Sequence, residues 1–442
     1  MTGRRRWAPA EQRSRSDLMV AAAIAVVVLL IVAGTWFFSD SRSTSHETAG
    51  AGDAIAPGVS DAPVPESLTE IWRAESEPSD TGEPVTVEGA AIVRDGNRIA
   101  GLDTSDGSEV WSYSRDRELC GMTANWRRVI AVYHGPKGCG DATSLDAATG
   151  RYHDTRSALT SDDVRMFRSL DSVGVLSTER VELWRSDLVR TVELGHVESP
   201  VNVDAQPLDG CQFSSAQARK QLLAVVTDCG REDGKRTVSL QKAVPEESGE
   251  PEETHEFTVP ADAELVGVAE EAAVIYVHGS GTRARDAEDF QGSRFQVLHT
   301  DGGFGQHPAD PSSTMAARAN GGNGGNEANG ASKPSTTSGS LFLPETGDLP
   351  HHMTWFDGER LIGFGPTTLD PRFSVPAIGT GAALDDRLLV PVSDGVAVVD
   401  WSDGTVDRVI PVDRGGWAGP VHLRVQGEVV IEQRGGTMVG LN

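Results

Sequence analysis

Four cysteines are the residues of this 442-residue chain whose type and spacing indicate a chemistry most directly. Cys120 and Cys139 are 19 residues apart, and Cys211 and Cys229 are 18 residues apart. Each pair brackets a predicted β-hairpin, whose two ends lie side by side at the Cα separation that a disulfide requires. Of the three pairings that four cysteines allow, this geometry favours the sequential one. Zinc binding is the weaker alternative, because the chain has no C-x2-C and no histidine at ligand spacing.

The other residue patterns do not indicate catalysis. The string at 278–281 (HGSG) is the nearest match to a hydrolase nucleophile elbow, and a turn at a strand end explains it better. His351 and His352 are adjacent, so in a strand their side chains would point to opposite faces and would not share a metal. The turns at 103–107 and 400–404 resemble calcium loops but lack the final glutamate, and Asp and Gly are ordinary turn residues. We therefore expect no enzymatic activity, no metal and no cofactor.

Three tryptophans are the candidates for binding. Trp126, Trp355 and Trp417 lie in loop-like contexts (NWRR, HHMTWFDG and RGGWAGP) and do not follow the internal repeat described below. An exposed aromatic ring beside an arginine is suited to meet a lipid, a sugar or a partner protein. These tryptophans and Arg127 are therefore candidate ligand-binding residues, although packing inside the fold explains the tryptophans equally well.

One apolar segment places the chain relative to a membrane. Residues 18–38 carry no charge, and at a rise of about 1.5 Å per residue they match a hydrocarbon core of about 30 Å. Residues 1–17 hold five arginines against two acidic residues, a net charge of +3, and an aromatic belt, residues 36–38, ends the apolar segment. The positive-inside rule then predicts a cytoplasmic tail at 1–17, a transmembrane helix at 18–38 and a periplasmic body, in a single-pass protein of the cell inner membrane. A cleaved signal peptide is the alternative.

The charge of the exported body excludes one class of partner. The whole chain has a net charge of -26, so the residues after the tail carry -29. Nucleic-acid binding needs clustered Lys and Arg to neutralise phosphates, so we expect no nucleic-acid partner.

Residues 39–66 are rich in Ser, Gly, Ala, Pro and Asp and predict a flexible linker, and the low-complexity stretch at 308–340 predicts a disordered insertion in an exported domain at 67–442.

The exported domain repeats with a period near 42 residues. Segments 92–103, 389–400 and 431–442 each read as strand, Gly-containing turn, strand and then Asp or Asn. Asp103 precedes Asp146 by 43 residues, and Asp146 precedes the next equivalent, Asp187, by 41. Short strands at this period are typical of an all-β propeller with one four-stranded sheet per blade.

The ends of the repeat region agree with a closed ring. Residues 69–74 (TEIWRA) read as an isolated fourth strand, whereas the unit at 431–442 lacks one. Joining the two removes both exposed sheet edges. Eight units are favoured, and seven remain open because the unit around the insertion is degenerate; the eight begin near residues 85, 117, 160, 209, 262, 338, 380 and 420. Four tryptophans at repeat-equivalent or nearly equivalent positions are expected to pack between blades: Trp72, Trp111, Trp184 and Trp401.

Two resemblances accompany these patterns. The turn at 145–150 (LDAATG) resembles the pyrroloquinoline-quinone-type propeller repeat, but the adjacent cysteine pair of quinone-dependent dehydrogenases does not occur. Four stretches resemble the polar growth factor A family of mycolate-making actinobacteria: 117–121 (RELCG), 181–202 (VELWRSDLVRTVELGHVESPVN), 410–421 (IPVDRGGWAGPV) and 430–436 (VIEQRGG). The Gly/Asn-rich insertion and the longer acidic loops depart from that family.

The second resemblance implies a function. It implies a periplasmic propeller that binds a trehalose monomycolate-like glycolipid and assists an RND-type mycolate-lipid exporter in cell-envelope assembly and polar growth. No motif of the family identifies the residues that contact lipid, so none is carried over. The alternative is a protein–protein scaffold for envelope machinery that does not bind lipid, and a quinone-dependent dehydrogenase is the least favoured reading.

Overall fold

The structure is a computed structural model that describes residues 14–37, 42–58, 62–200, 202, 204–279, 292–319, 341–348 and 353–442. Several features singled out above lie outside the described residues: most of the predicted cytoplasmic tail, the end of the HGSG string, His351, His352 and residues 320–340 of the predicted insertion.

The N-terminal apolar segment forms helix α1 (Arg15–Phe37). It begins three residues before the predicted span, because Ser14 and Asp17 cap it reciprocally: each side chain accepts a hydrogen bond from the other residue's backbone N–H. The helix is long and apolar enough to cross a membrane, and a signal sequence meets the same criteria.

The described strands form eight antiparallel sheets, and each sheet is one blade of a propeller. Two strands precede the first complete blade: β1 (Ser45–Glu47) and β2 (Glu70–Glu75). Blades one to four consist of β3 (Val85–Val87), β4 (Ala90–Asp95), β5 (Arg98–Asp103) and β6 (Glu109–Ser114); β7 (Leu119–Asn125), β8 (Arg128–Gly135), β9 (Gly138–Asp146) and β10 (Tyr152–Ser157); β11 (Arg165–Arg168), β12 (Val173–Leu176), β13 (Arg180–Trp184) and β14 (Arg190–Gly195); and β15 (Gln212–Arg219), β16 (Leu222–Asp228), β17 (Arg236–Lys242) and β18 (Glu253–Val259).

The second half of the ring repeats this plan, with a short helix, α2 (Ser313–Ala319), between blades five and six. Blades five to eight consist of β19 (Glu264–Val268), β20 (Ala272–Val277), β21 (Arg294–His299) and β22 (Phe304–Pro308); β23 (Thr346–Asp348), β24 (Met353–Phe356), β25 (Arg360–Phe364) and β26 (Pro371–Pro376); β27 (Ala382–Leu384), β28 (Arg387–Val392), β29 (Gly395–Asp400) and β30 (Val406–Pro411); and β31 (His422–Gln426), β32 (Val429–Arg434) and β33 (Thr437–Leu441), completed by β2.

The ring closes as the sequence predicts. Strand β2 pairs with β33, and the backbones of Thr69 and Asn442 exchange two hydrogen bonds of 2.9 and 3.0 Å. The structure therefore confirms an eight-bladed propeller over the seven-bladed alternative. The middle strands are buried on both faces because neighbouring blades stack on them, as the fully buried β20 shows, whereas outer strands such as β10 are largely exposed.

The N-terminal segment differs from the predicted flexible linker. Strand β1 pairs with β6 as a fifth strand of blade one, and Ile55, 3 % exposed, joins the core between blades one and two. Ala62 and Leu68 pack on blades seven and eight. The described part of residues 45–68, which we call the strap, is thus docked on the propeller, because Ile55, Ala62 and Leu68 are buried against its blades.

Residues 308–319 of the predicted disordered insertion are folded. Pro308 is the last residue of β22, and α2 follows with Met315 completely buried. The Glu359 carboxylate accepts a 3.0 Å hydrogen bond from the N–H of Thr314 and so caps this helix.

Both predicted disulfides are present, Cys120–Cys139 and Cys211–Cys229. The second pair brackets a hairpin as predicted, since Cys211 precedes β15 and Cys229 follows its partner β16. For the first pair the pairing is correct but the reason differs. Cys120 lies at a bulge in β7 and Cys139 lies in β9, so this disulfide joins the two strands that flank β8.

Candidate functional site

The centre of the propeller ring is filled by its own loops. Asp80, in the connection from β2 to β3, accepts a 2.8 Å hydrogen bond from the N–H of Met166 on an inner strand of blade three. The segment before β23 crosses the ring as well, where the N–H of Phe342 donates to Ser214 at 2.8 Å. The cavities left between these loops hold about 40 Å³ each, enough for a few waters and too small for a lipid.

The two loops meet at a buried histidine. The ring of His422 packs directly on Gly82, because a Cβ added to Gly82 would lie only 2.9 Å from the His422 Nε2 atom. A carboxylate oxygen of Glu345 is 4.0 Å from the same Nε2 atom. Burial, with a smaller contribution from Arg424, lowers the pKa of His422 to about 4. His422 is therefore neutral at physiological pH and serves packing in the ring centre.

A cleft of about 230 Å³ opens between blades five and six. Its floor is apolar and aromatic, because blade five contributes rings from its two middle strands and blade six from a middle strand and the outer strand. Tyr276 and Trp355 lie 5.6 Å apart between ring centroids, and Phe295 and Trp355 lie 5.9 Å apart. Phe373 of the outer strand β26 forms one wall.

Polar groups surround this aromatic floor. The Arg360 guanidinium bonds to the buried Asp357 carboxylate at 2.8 Å and donates a 2.6 Å hydrogen bond to the Asp310 carbonyl, which ties the loop before α2 to blade six. Arg372, half exposed, pairs with Asp370 at 2.8 Å. The Tyr276 hydroxyl is buried close to Ser293, and burial raises its pKa while Ser293 opposes part of this shift. An aromatic floor with a few convergent donors and acceptors is typical of a site for a small polar ligand with an apolar face.

A second cavity, of about 330 Å³, lies between blades three and four beside the Cys211–Cys229 disulfide. Its walls are polar: His196 and Asp209, both more than half exposed, approach to 3.4 Å, and no Phe, Tyr or Trp is among the described residues that line it. Since exposed polar walls exclude little water, the cleft between blades five and six is the better candidate site.

The structure places the four predicted ligand-binding residues apart. The prediction that Trp355 lies exposed in a loop is wrong. Trp355 lies in β24, is 1 % exposed and forms the floor of the cleft. Trp126 and Arg127 form the left-handed turn between β7 and β8, where Trp126 packs on the core between blades two and three and Arg127 pairs with Glu88 at 2.7 Å. Trp417 is half-buried against blades seven and eight, and its Nε1 donates to the Pro420 carbonyl at 3.1 Å.

The sequence reasoning missed the other residues of the cleft. Tyr276, Phe295, Arg360 and Phe373 come from two blades, so no local spacing indicates that they meet. The repeat offered one signal for Phe373, which occupies the position in its blade that Trp72 occupies in blade eight. Phe373 lies against Gly404, a turn glycine of the next blade, just as Trp72 lies against Gly107. Among the described residues, no group of three or more His, Cys, Asp or Glu side chains is arranged to hold a metal ion.

No protein-family model matches the chain, and no curated protein matches it. Among solved structures, BamB from Moraxella catarrhalis is similar over 85 % of this chain and 99 % of its own, at 11 % identity and a TM-score of 0.45. The computationally designed Ika8 protein is similar over 85 % and 99 %, at 12 % identity and a TM-score of 0.50. A europium-containing methanol dehydrogenase is similar over 83 % and 84 %, at 12 % identity and a TM-score of 0.44. At these identities the likeness concerns the fold alone.

Proposed function

We propose that this chain is a membrane-anchored periplasmic propeller that binds the headgroup of a trehalose monomycolate-type glycolipid and assists an RND-type mycolate-lipid exporter, without catalysing a reaction. The cleft between blades five and six carries this proposal. The glycolipid class and the exporter come from the sequence resemblance to the polar growth factor A family.

The chemistry of the cleft suits a sugar. One face of a hexose ring presents C–H groups, which pack on an aromatic ring such as Phe373, the wall of the cleft. Its hydroxyls both donate and accept hydrogen bonds, and the accessible groups of the cleft match them: the Ser374 hydroxyl donates and accepts, and the Arg360 and Arg372 guanidiniums donate.

The size of the cleft limits what it holds. A drug-sized ligand occupies a pocket of about 300–1,000 Å³, so 230 Å³ accommodates part of a disaccharide and leaves mycolyl chains outside. We therefore assign the cleft to headgroup recognition, with the acyl chains held outside it.

The test is to purify the full chain in detergent from a mycolate-making host and identify co-extracted glycolipid by mass spectrometry. Bound trehalose monomycolate is expected. Protein that is empty and also fails to bind added trehalose monomycolate would contradict the lipid part of the proposal and favour the scaffold alternative, in which the propeller only holds envelope proteins together. Crosslinking in cells recovers the exporter under both readings, so the lipid measurement separates them.

A further inference from the structure

The chain between helix α1 and the propeller is short. Helix α1 ends at Phe37 and strand β1 begins at Ser45, eight residue steps that reach at most about 28 Å when fully extended. A flexible linker over residues 39–66 would reach about 95 Å. Because the strap is docked, most of this predicted length is unavailable as a spacer.

Arg42 shortens the connection further. Its guanidinium carbon lies 4.7 Å from the ring centroid of Trp36 and 4.8 Å from that of Phe37, within the range of cation–π contacts. Aromatic side chains at the end of a membrane-spanning helix lie at the level of the lipid headgroups. Only three residue steps, about 10 Å, then separate Arg42 at that level from Ser45 in the sheet of blade one.

The strap is held by several independent contacts. Three residue pairs join β1 to β6, including His46 opposite Tyr113. The His46 Nε2–H donates a 2.7 Å hydrogen bond to the Gly150 carbonyl of blade two, and the Ile55 N–H donates one of 3.0 Å to Ala148. Releasing the strap would break these hydrogen bonds and expose Ile55, so the short connection is a stable feature of the fold.

One exposed aromatic residue marks the rim where the strap enters. Tyr152, on the outer strand of blade two, is 52 % exposed although its ring lies 4.4 Å from that of His46. An amphipathic ring in this position suits the boundary between headgroups and water.

We propose that the strap holds the rim of blades one and two against the headgroup layer of the bilayer that α1 crosses, so that this lipid surface is the partner of the rim. The inference rests on α1 being retained as a membrane anchor, which is part of the proposed function. An ordinary globular body of this length is about 55 Å across. Blade five, opposite blade one in a ring of eight, therefore lies farther from the bilayer, and the neighbouring cleft faces away from the membrane contact.

The test uses the full chain in nanodiscs whose lipid headgroups carry a fluorescence quencher. All four native cysteines are in disulfides, so one introduced cysteine gives a single labelling site. His153→Cys places the label on the outer strand of blade two, and Gln306→Cys places it on the outer strand of blade five. We expect several-fold stronger quenching at position 153. A long Gly/Ser insertion between Ser43 and Thr44 should abolish the difference, because the propeller can then move away from the bilayer.

Equal quenching at the two positions in the chain without the insertion would overturn the proposal. A difference that survives the insertion would overturn it too, because something other than the short connection would then hold the rim at the membrane. Trehalose monomycolate binding by the same samples is measured separately, so failure of the strap proposal is distinguishable from failure of the glycolipid proposal.

Discussion

The indole Nε1 of Trp111 donates a 2.8 Å hydrogen bond to the carbonyl oxygen of Ala147, which joins the outer strand of blade one to a turn of blade two. Trp72 makes the equivalent bond to Thr104, at 2.7 Å, across the closure between blades eight and one. The repeated tryptophans therefore pack between blades, as the sequence predicts.

The first prediction concerns the turn glycine beneath Trp111. A Cβ on Gly150 would lie 2.6 Å from the Trp111 ring, and its φ of +70° disfavours any side chain. Gly150→Ala should lower the free energy of unfolding by about 2–5 kcal/mol, the sum of backbone strain and overpacking. Gly96→Ala is the matched control, since its φ is +57° but nothing lies within 4 Å of the added Cβ, so only the strain of about 1–2 kcal/mol should remain. Urea unfolding measures both; equal losses would refute the role of the contact.

The second prediction tests the docked strap. Ile55 is 3 % exposed, whereas Ile71 is 40 % exposed. Ile55→Ala should cost about 2–5 kcal/mol through lost burial and a cavity, and Ile71→Ala less than about 1 kcal/mol. The unfolding midpoint of the full chain in detergent is the measurement, and a tolerated Ile55→Ala would contradict the docking.

The third prediction concerns the disulfides. Replacing Cys120 and Cys139 by Ser, or Cys211 and Cys229, should each cost about 3 kcal/mol, because closing a loop of this length restricts the unfolded chain. Four free thiols in the full chain purified from a mycolate-making host would refute the pairing.

The fourth prediction is a pH dependence. Burial raises the pKa of Asp80 to about 6, so the folded state holds this proton more tightly than the unfolded state does. The stability that it contributes is complete below about pH 4 and is lost as the pH rises through about 6, a change of roughly 3 kcal/mol. Asp80→Asn keeps an oxygen that accepts the hydrogen bond from the Met166 N–H. At pH 7 this variant should therefore unfold at a higher urea concentration than wild type, whereas at pH 4 the two unfolding midpoints should be equal.

Each comparison of Asp80→Asn with wild type is made at a single pH. This precaution matters because His422, whose pKa is lowered to about 4, contributes the opposite slope: its stability is lost as the pH falls from about 6.5 to 4. An advantage of Asp80→Asn that does not change with pH would disprove the assignment.

The sequence predicted those features that depend on local spacing. The Asp-to-Asp period predicted the ring, and the isolated strand at 69–74 predicted its closure, because each blade repeats the same turn chemistry. Ile55 gave no such signal: one large apolar residue among Gly, Ala, Asp and Pro has no periodicity that could indicate its burial. Trp355 follows two histidines and precedes a turn, which resembles a loop, yet neighbouring blades bury its strand. The cleft depends on Tyr276 and Phe373 meeting across nearly 100 residues, and only the folded ring brings them together.

The most direct test of the central claim is the dissociation constant of trehalose monomycolate for the full chain and for two variants. Ser374 is exposed at the cleft and Thr258 is exposed on the outer strand of blade four, so Ser374→Trp fills the site and Thr258→Trp does not. The proposal predicts binding by wild type and Thr258→Trp and at least about tenfold weaker binding by Ser374→Trp, a loss of about 1.4 kcal/mol or more. Undiminished binding by Ser374→Trp, or no binding by wild type, would contradict it.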